Sequence, residues 1–276
     1  MPLFQDSIDY GGKQTVAFKG QGELLVHAQI QRLIREKRAS DANIVNKGIC
    51  SSLTLNWLEF YCDNPKGQYD ASILEEKVII DRVIESQLYL RNQNMALHRL
   101  LPQFGPSLIS SSRDFKLEGC ADLLKKSGII TISFQSQIED SHSVTAILSE
   151  AKNIKTFRLY DGEAGEVLFE FEVDKIREEK NVITWLQAYL DSYRRTYKDP
   201  DVEIVIQNFN NEWSPKEERD NNIEVMRAYN KYMRLERAEA KQTDQVNTSQ
   251  NLYSIFHQPQ STPRKTAPSK SSCLIM

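Results

Sequence analysis

A cysteine at the start of a predicted helix is the residue of this chain best suited to covalent chemistry. In NKGICSSLTLNW, Cys50 directly precedes a segment in which Leu53, Trp57 and Phe60 recur at helical spacing. A helix start presents unpaired N–H groups and the positive end of the helix dipole, and both favour the nucleophilic thiolate. Gly48 would let the backbone fold closely there. The alternative is an ordinary half-buried cysteine.

A cysteine nucleophile needs a base, and that base needs an orienting partner. The chain has four histidines: His27 and His98 fall in predicted helices, His257 falls near the end of the chain, and His142 enters the predicted strand SVTAIL. Asp161 ends the next predicted strand, KTFRLYD. Taken alone, the histidine and the aspartate also fit polar turns.

The register of the two strands decides whether this imidazole and this carboxylate meet. In an antiparallel hairpin, the start of one strand lies beside the end of its neighbour. Pairing Val144 with Leu159 centres the connection near residues 151–152 and places His142 opposite Asp161. The strand pattern therefore predicts that an imidazole and a carboxylate lie together, as a base for Cys50 and its orienting partner would.

The elements that must position these residues follow from periodicity. The pattern predicts an α+β fold with one antiparallel sheet, built from helices, then a meander of strands, then helices. We expect a domain over 1–212, a charged helix within 213–242, and a flexible tail over 243–276. Helices are predicted near 22–38, 51–61, 71–91, 114–126, 181–193 and 213–240, and strands at 128–134, 143–148, 155–160, 166–171 and 202–209.

Composition excludes several classes of function. A net charge of −3 gives no basic face for nucleic acid. No window is apolar enough for a membrane helix, and the N-terminus, MPLFQDSIDYGGKQ, does not resemble a secretory signal peptide. The dispersed cysteines (Cys50, Cys62, Cys120 and Cys273) indicate free thiols in a reducing compartment, with Cys62 and Cys120 in the core. The cysteines and histidines are too scattered for a metal site, so none is expected.

Three blocks, GICSSLTLNW, SHSVTAIL and YDGEAGEVLF, together resemble the YopT/AvrPphB family of bacterial effector cysteine proteases, part of the papain-like clan. The resemblance covers roughly residues 25–210. Gly165 matches the glycine of the third block, although that block has Asp-Gly-Glu-Ala-Gly where the family usually has Asp-Pro-Asn-aromatic-Gly. The resemblance implies a papain-like fold, in which a central antiparallel sheet packs against an N-terminal catalytic helix and further helices. It also implies cysteine endopeptidase activity without a cofactor.

The resemblance also implies roles for individual residues. Cys50 would attack a carbonyl carbon, His142 would carry the proton, and Asp161 would hold the imidazole. The oxyanion would be bound by the Cys50 N–H and a side-chain amide shortly before it. Papain-like enzymes use a glutamine; this chain has Asn43 and Asn46 instead, and Asn46 is favoured, although a polar loop residue is the equal alternative.

The last residues, Cys273-Leu274-Ile275-Met276, fit the C-a-a-X prenylation pattern, and the final methionine favours farnesyl. The alternative is an accidental apolar terminus. Arg264, Lys265 and Lys270 would add attraction to anionic lipid. Prenyltransferases of this kind are eukaryotic. We therefore expect an effector secreted by a bacterium without a cleavable signal peptide, modified by a host prenyltransferase and anchored to host membrane lipid.

The expected substrate is a membrane-associated host protein, for which the resemblance suggests a prenylated small GTPase. Two alternatives stay open. The same thioester chemistry serves papain-like deamidases, transglutaminases and acyltransferases. The second alternative is a non-enzymatic prenylated adaptor that binds a partner through the 213–240 helix.

Overall fold

A computed structural model describes residues 6–17, 26–113, 119–135, 142–196 and 202–256 of the chain, without the side chains of residues 71 and 241–256. Predictions for 22–25, 114–118 and 257–276, and hence for Cys273, lie outside the described residues. The chain divides into two compact units, Met1–Tyr232 and Met233–Met276.

The helices follow the predicted apolar periodicity with local differences. The predicted helix over 71–91 is two elements: a 3₁₀ turn at Ala71–Glu75, whose preceding Asp70 accepts a hydrogen bond from the Ser72 N–H, and then a regular helix. The helices in the described residues are α1 (His27–Arg35), α2 (Ala39–Val45), α3 (Cys50–Asp63), α4 (Lys77–Asn92), α5 (Leu97–Leu100), α6 (Cys120–Leu123), α7 (Ile176–Thr196) and α8 (Lys216–Phe256).

The last helix, α8, extends past its predicted end near residue 240 and continues to Phe256. The stretch from 243 was predicted to be a flexible tail because it lacks apolar periodicity. Its residues include glutamine and leucine and exclude glycine and proline up to residue 256, so nothing in the local backbone chemistry stops the helix.

One seven-stranded sheet, in which each described pair of strands is antiparallel, forms the centre of the fold. The predicted meander is confirmed, since its four strands lie side by side in chain order. The two edge strands were not predicted; β2 is exposed along its whole length and so carries no burial pattern. The strands are β1 (Lys13–Ala17), β2 (Leu108–Ser112), β3 (Gly128–Gln135), β4 (His142–Ala151), β5 (Ile154–Asp161), β6 (Gly165–Glu172) and β7 (Glu203–Phe209), in the order β1-β6-β5-β4-β3-β7-β2.

The predicted register between β4 and β5 is wrong by two residues. Val144 lies opposite Asp161, whereas Leu159 was the predicted partner. The cause is the turn, which holds two residues, Lys152 and Asn153, at φ of 50° and 64°. Positive φ at both central residues is the geometry of the type I′ turn, which matches the twist of a tight hairpin.

The sequence still predicts correctly on which face of the sheet each side chain lies. Side chains alternate between the two faces with a period of two, so a two-residue shift leaves every residue on its predicted face. His142 and Asp161 therefore become diagonal neighbours on one face, a separation that ring-sized side chains can bridge.

The two faces of the sheet carry separate hydrophobic cores. On one face, α3 and α4 pack against strand residues that include Ile147 and Tyr160. On the other, α7 packs through Trp185 and Tyr189 against residues such as Val144. The sheet thus separates the helix that begins with Cys50 from the helix that covers His142 and Asp161.

Candidate active site

Cys50, His142 and Asp161 meet at the end of the sheet where β4 begins and β5 ends. His142 Nε2 lies 3.2 Å from Asp161 Oδ1. The thiol of Cys50 is hydrogen-bonded to His142, so the imidazole is placed between a thiol and a carboxylate. Asp161 is fully buried and His142 is nearly so, whereas Cys50 stays partly exposed.

Cys50 is the first residue of α3, so the helix begins one residue earlier than the predicted start at residue 51. The N–H groups of the first helical turn have no carbonyl to bind within the helix, so they face the region of the thiol. Gly48, two residues earlier, has φ of +102°, which L side chains rarely adopt, while the space around its Cα is open. The positive φ therefore explains why glycine stands at position 48. The close folding of the backbone that was expected from the sequence does not explain it, since the space is open.

Asp161 is fixed by three further hydrogen bonds. The hydroxyls of Tyr189 and Tyr193, one turn apart on α7, both donate to Oδ2. The backbone N–H of Glu163 donates to Oδ1 over 2.8 Å, which closes a turn that returns the chain to β6. Gly165, the glycine of the third sequence block, lies opposite Asp161 with φ of +115°.

Aromatic rings cover the imidazole on its buried side. Tyr193 stacks on His142 with ring centroids 4.9 Å apart and an interplanar angle of 17°. Its hydroxyl lies 3.0 Å from His142 Nε2. Phe134 in turn stacks on Tyr193 at 4.8 Å. The sequence predicted a helix over 181–193, and the two tyrosine hydroxyls one turn apart on it were the signal for a role beyond packing.

The pKa values of the three groups shift in the direction that makes an ion pair. Burial alone would raise the pKa of Cys50, but the hydrogen bond and charge of His142 bring it below its ordinary value. Burial would lower the pKa of His142, but Asp161 and Cys50 raise it to about 10. The pKa of Asp161 is lowered, against the effect of burial, by hydrogen bonds from His142, Tyr189 and Tyr193.

The amide predicted to help bind an oxyanion has no hydrogen bond to this cluster. Asn46 is exposed at the C-terminal end of α2, and its side chain makes no hydrogen bond in the described part of the chain. The buried Gln87 of α4, in contrast, has its Oε1 2.9 Å from the hydroxyl of Ser52 in the first turn of α3. Gln87 lies too far along the chain for local spacing to have suggested it.

A cleft of about 460 Å³ adjoins the cluster. Its lining includes Ser51 and Ser143, which directly follow Cys50 and His142, together with Gln87. That volume lies in the usual range of ligand-binding clefts, about 300–1,000 Å³. The cleft is therefore lined by the chain neighbours of Cys50 and His142 and is large enough for a substrate segment.

A second buried carboxylate lies five residues after Asp161 on the opposite face. Glu166 accepts hydrogen bonds from Trp57 Nε1 at 2.6 Å and from the Tyr61 hydroxyl at 2.9 Å, two residues one turn apart on α3. The guanidinium of Arg158 lies 3.0 Å away, and the hydroxyl of Thr15 donates over 2.6 Å. This cluster holds no thiol and no histidine.

The remaining predicted features are structural or lie elsewhere. Cys120 is buried, as expected. Cys62 on α3, which was also predicted to lie in the core, is only partly buried, and its pKa is raised to about 11, chiefly by burial. In the described ranges, no group of three or more histidine, cysteine, aspartate or glutamate side chains is arranged to hold a metal ion. Nor does any helix there combine the length and hydrophobicity needed to span a bilayer.

Comparison with known proteins gives one partial likeness. No protein-family profile matches this chain, and no curated protein does either. Among solved structures, the crystal structure of the Pseudomonas avirulence protein AvrPphB is similar: the chains are 17% identical, the likeness covers 60% of this chain and 93% of that one, and the TM-score is 0.36.

Proposed function

We propose that this chain is a cysteine endopeptidase whose catalytic residues are Cys50, His142 and Asp161. The observation that carries the proposal is the hydrogen-bonded series of thiol, imidazole and buried carboxylate at the start of α3. The papain-like character of the fold is part of the same proposal, supported by the three sequence blocks.

The chemistry follows from the protonation states that the geometry favours. The Cys50 thiolate attacks a peptide carbonyl carbon, and the oxyanion that forms is stabilised by N–H groups at the start of α3. Protonated His142 gives its proton to the leaving amine as the C–N bond breaks, which leaves a thioester. His142 then takes a proton from water, whose oxygen attacks the thioester and releases the acid and the thiolate.

Substitution of the thiol tests this mechanism. Cys50→Ala is expected to lower peptide hydrolysis by roughly 10⁴-fold or more with the fold retained, since the nucleophile is lost. Cys62→Ala, on the same helix, is the matched control and should keep full activity. Circular dichroism and thermal unfolding establish that both variants fold. An active Cys50→Ala protein would contradict the proposal.

The reaction products show which nucleophile attacks the thioester. Mass spectrometry of host lysate treated with the wild-type protein should reveal new N-termini that the Cys50→Ala protein does not produce. A gain of one dalton on glutamine residues would instead indicate a deamidase. Partner binding that is retained in the Cys50→Ala protein, with no covalent product from the wild type, would indicate the adaptor.

We further propose that the protein acts inside host cells and is attached to their membranes by prenylation of Cys273. The support is the sequence CLIM and the basic residues before it. Cys273→Ser should move the protein from the membrane fraction to the cytosol and leave hydrolysis of a soluble peptide unchanged. A Cys273→Ser protein that remains on membranes would sink this part of the proposal.

A further inference from the structure

The turn that joins β5 to β6 holds an exposed carboxylate next to the candidate active site. The backbone N–H of Glu163 donates to Asp161 Oδ1 over 2.8 Å, and the N–H of Ala164 donates to the Asp161 carbonyl over 3.1 Å. Since Asp161 Oδ1 also meets His142 Nε2, the Glu163 backbone is two hydrogen bonds away from the imidazole. These bonds fix position 163 relative to the residues proposed to act in catalysis.

The side chain of Glu163 differs from those of Asp161 and Glu166 in exposure and in pairing. Asp161 and Glu166 are fully buried, and each has a cationic partner beside it. Glu163 is exposed, and no lysine, arginine or histidine of the described ranges lies within ion-pair distance of its carboxylate. An exposed carboxylate in this state can accept a cation from a ligand.

The charge of Glu163 reaches two other elements of the site. On α3, burial raises the pKa of the Cys50 thiol and the charge of Glu163 adds to that rise, although His142 brings the net value down. On α7, burial raises the pKa of Tyr193, and the charges of Asp161 and Glu163 raise it further. Cys50 is partly exposed, so a molecule that reaches the thiol from solvent meets the field of Glu163.

Position 163 is also where this chain departs from the family that it resembles. The third block has Asp-Gly-Glu-Ala-Gly, whereas the family usually has Asp-Pro-Asn-aromatic-Gly, so a charged side chain stands in place of a neutral amide. Its neighbours Gly162 and Ala164 are buried, which leaves Glu163 as the residue of this turn that a substrate can contact. A change of charge at such a position bears on the choice of substrate.

We propose that Glu163 determines substrate specificity by binding a lysine or arginine side chain of the protein substrate beside the scissile bond. This inference rests on the peptidase function proposed above and specifies its substrate class. A peptide whose carbonyl carbon lies at the Cys50 sulfur brings its neighbouring side chains within range of Glu163, because that charge already acts on the thiol. A basic side chain is attracted there and an acidic one is repelled. A bound cation also offsets the charge that opposes the thiolate, so a basic substrate raises the reactivity of Cys50.

Charged thiol reagents test the field of Glu163 at Cys50 without any proteolysis. The probes are two methanethiosulfonates of similar size, one with a trimethylammonium group and one with a sulfonate group, and mass spectrometry follows the peptide that contains Cys50. Glu163→Gln should lower the ratio of the cationic to the anionic rate about fivefold at low salt, and added salt should reduce this change.

The matched control for this measurement is Glu150→Gln, which removes the same charge from an exposed position at the opposite end of β4 from His142. It should leave the ratio of the two rates as in the wild type. Circular dichroism establishes that both variants fold. An unchanged ratio in folded Glu163→Gln would overturn the inference, since the carboxylate would then exert no field at the thiol.

A digest of a proteome-derived peptide library by the active protein measures the substrate preference itself. Lysine and arginine should be enriched about fivefold within about two residues of the cleaved bond. Glu163→Gln should lose this enrichment, and Glu163→Asp, which keeps the charge, should retain it. Glu163→Lys should instead enrich aspartate and glutamate there, because the sign of the charge is reversed.

The two measurements separate this inference from the peptidase proposal. Cys50-dependent cleavage with a basic enrichment that Glu163→Gln loses supports both. Cys50-dependent cleavage without the enrichment, or with the enrichment retained in Glu163→Gln, overturns the inference and leaves the peptidase. A reagent ratio that depends on Glu163, without any Cys50-dependent cleavage, overturns the peptidase and retains the cation site beside the thiol.

Discussion

Asp161 and Glu166 are two buried carboxylates held in the same way on opposite faces of one hairpin. Each accepts hydrogen bonds from two aromatic side chains one turn apart on the helix that covers its face: Tyr189 and Tyr193 for Asp161, and Trp57 and Tyr61 for Glu166. Both carboxylates are fully buried.

The two clusters differ in the cation that compensates the carboxylate. Glu166 faces the guanidinium of Arg158, whose charge is permanent. Asp161 faces His142, which can gain and lose a proton and is bonded to a thiol. A buried carboxylate with a fixed cation ties elements together, whereas one with a titratable partner can take part in proton transfer. Burial and hydrogen bonding alone do not distinguish structure from chemistry.

The largest contrast is expected from neutralising each carboxylate. Asp161→Asn should lower hydrolysis by roughly 10³-fold, because the imidazole loses its orienting charge. Glu166→Gln should leave the activity of the folded protein within about threefold but lower the free energy of unfolding by roughly 3 kcal/mol, because Arg158 is left uncompensated. Peptide hydrolysis and urea unfolding measure the two effects. If both variants lost hydrolysis and unfolding free energy to the same extent, the two carboxylates would not have different roles.

The elements behind this contrast differ in how far the sequence predicts them. Periodicity predicts that Cys50 lies at a helix start and that His142 and Asp161 share one face of the sheet. The predicted face is correct despite the register error of two residues, because side chains alternate between faces. The turn at Lys152 and Asn153 was missed because neither residue is glycine, the usual marker of positive φ.

Contacts between distant segments could not be predicted from local patterns. Tyr193 lies 32 residues from Asp161, and Trp57 lies 109 residues from Glu166, so neither hydrogen bond has a periodic signature. The edge strand β2 lacks the burial that produces alternation. Asn46 was favoured because it precedes Cys50 in sequence, yet α2 ends with its side chain exposed.

A second contrast compares the two thiols of α3. Cys50 has a lowered pKa, so it should be alkylated by iodoacetamide near pH 7, and its rate should fall only as the pH drops through that lowered value. Cys62, with a pKa of about 11, should react at least about 10²-fold more slowly at pH 7 and speed up towards pH 11. Mass spectrometry of the labelled peptides gives both rates.

The carboxylate variants sharpen this measurement. Asp161→Asn should slow alkylation of Cys50 near pH 7, because the charge that supports protonated His142 is gone. Glu166→Gln should not change it. Equal rates for Cys50 and Cys62 in the folded wild type would show that the thiol gains nothing from its position.

The smallest contrast comes from the aromatic hydroxyls. Tyr193→Phe keeps the ring on His142 but removes hydrogen bonds to Asp161 and His142, and hydrolysis should fall about tenfold. Tyr61→Phe should leave hydrolysis unchanged and cost about 1.5 kcal/mol of unfolding free energy, since it removes a bond to a charged group. A loss of activity in Tyr61→Phe at unchanged stability would contradict the division of roles.

The hairpin turn from Asp161 to Gly165 connects the two carboxylates, and this sets when activity arises during folding. The turn is local, but both clusters on it close only when residues about 100 positions earlier arrive: Trp57 and Tyr61 for one, and Cys50 for the other. Contacts of such long separation form slowly. A newly made chain should therefore lack a reactive thiolate until its last long-range contacts form. Reactivity of Cys50 should be among the final properties that the folding protein acquires.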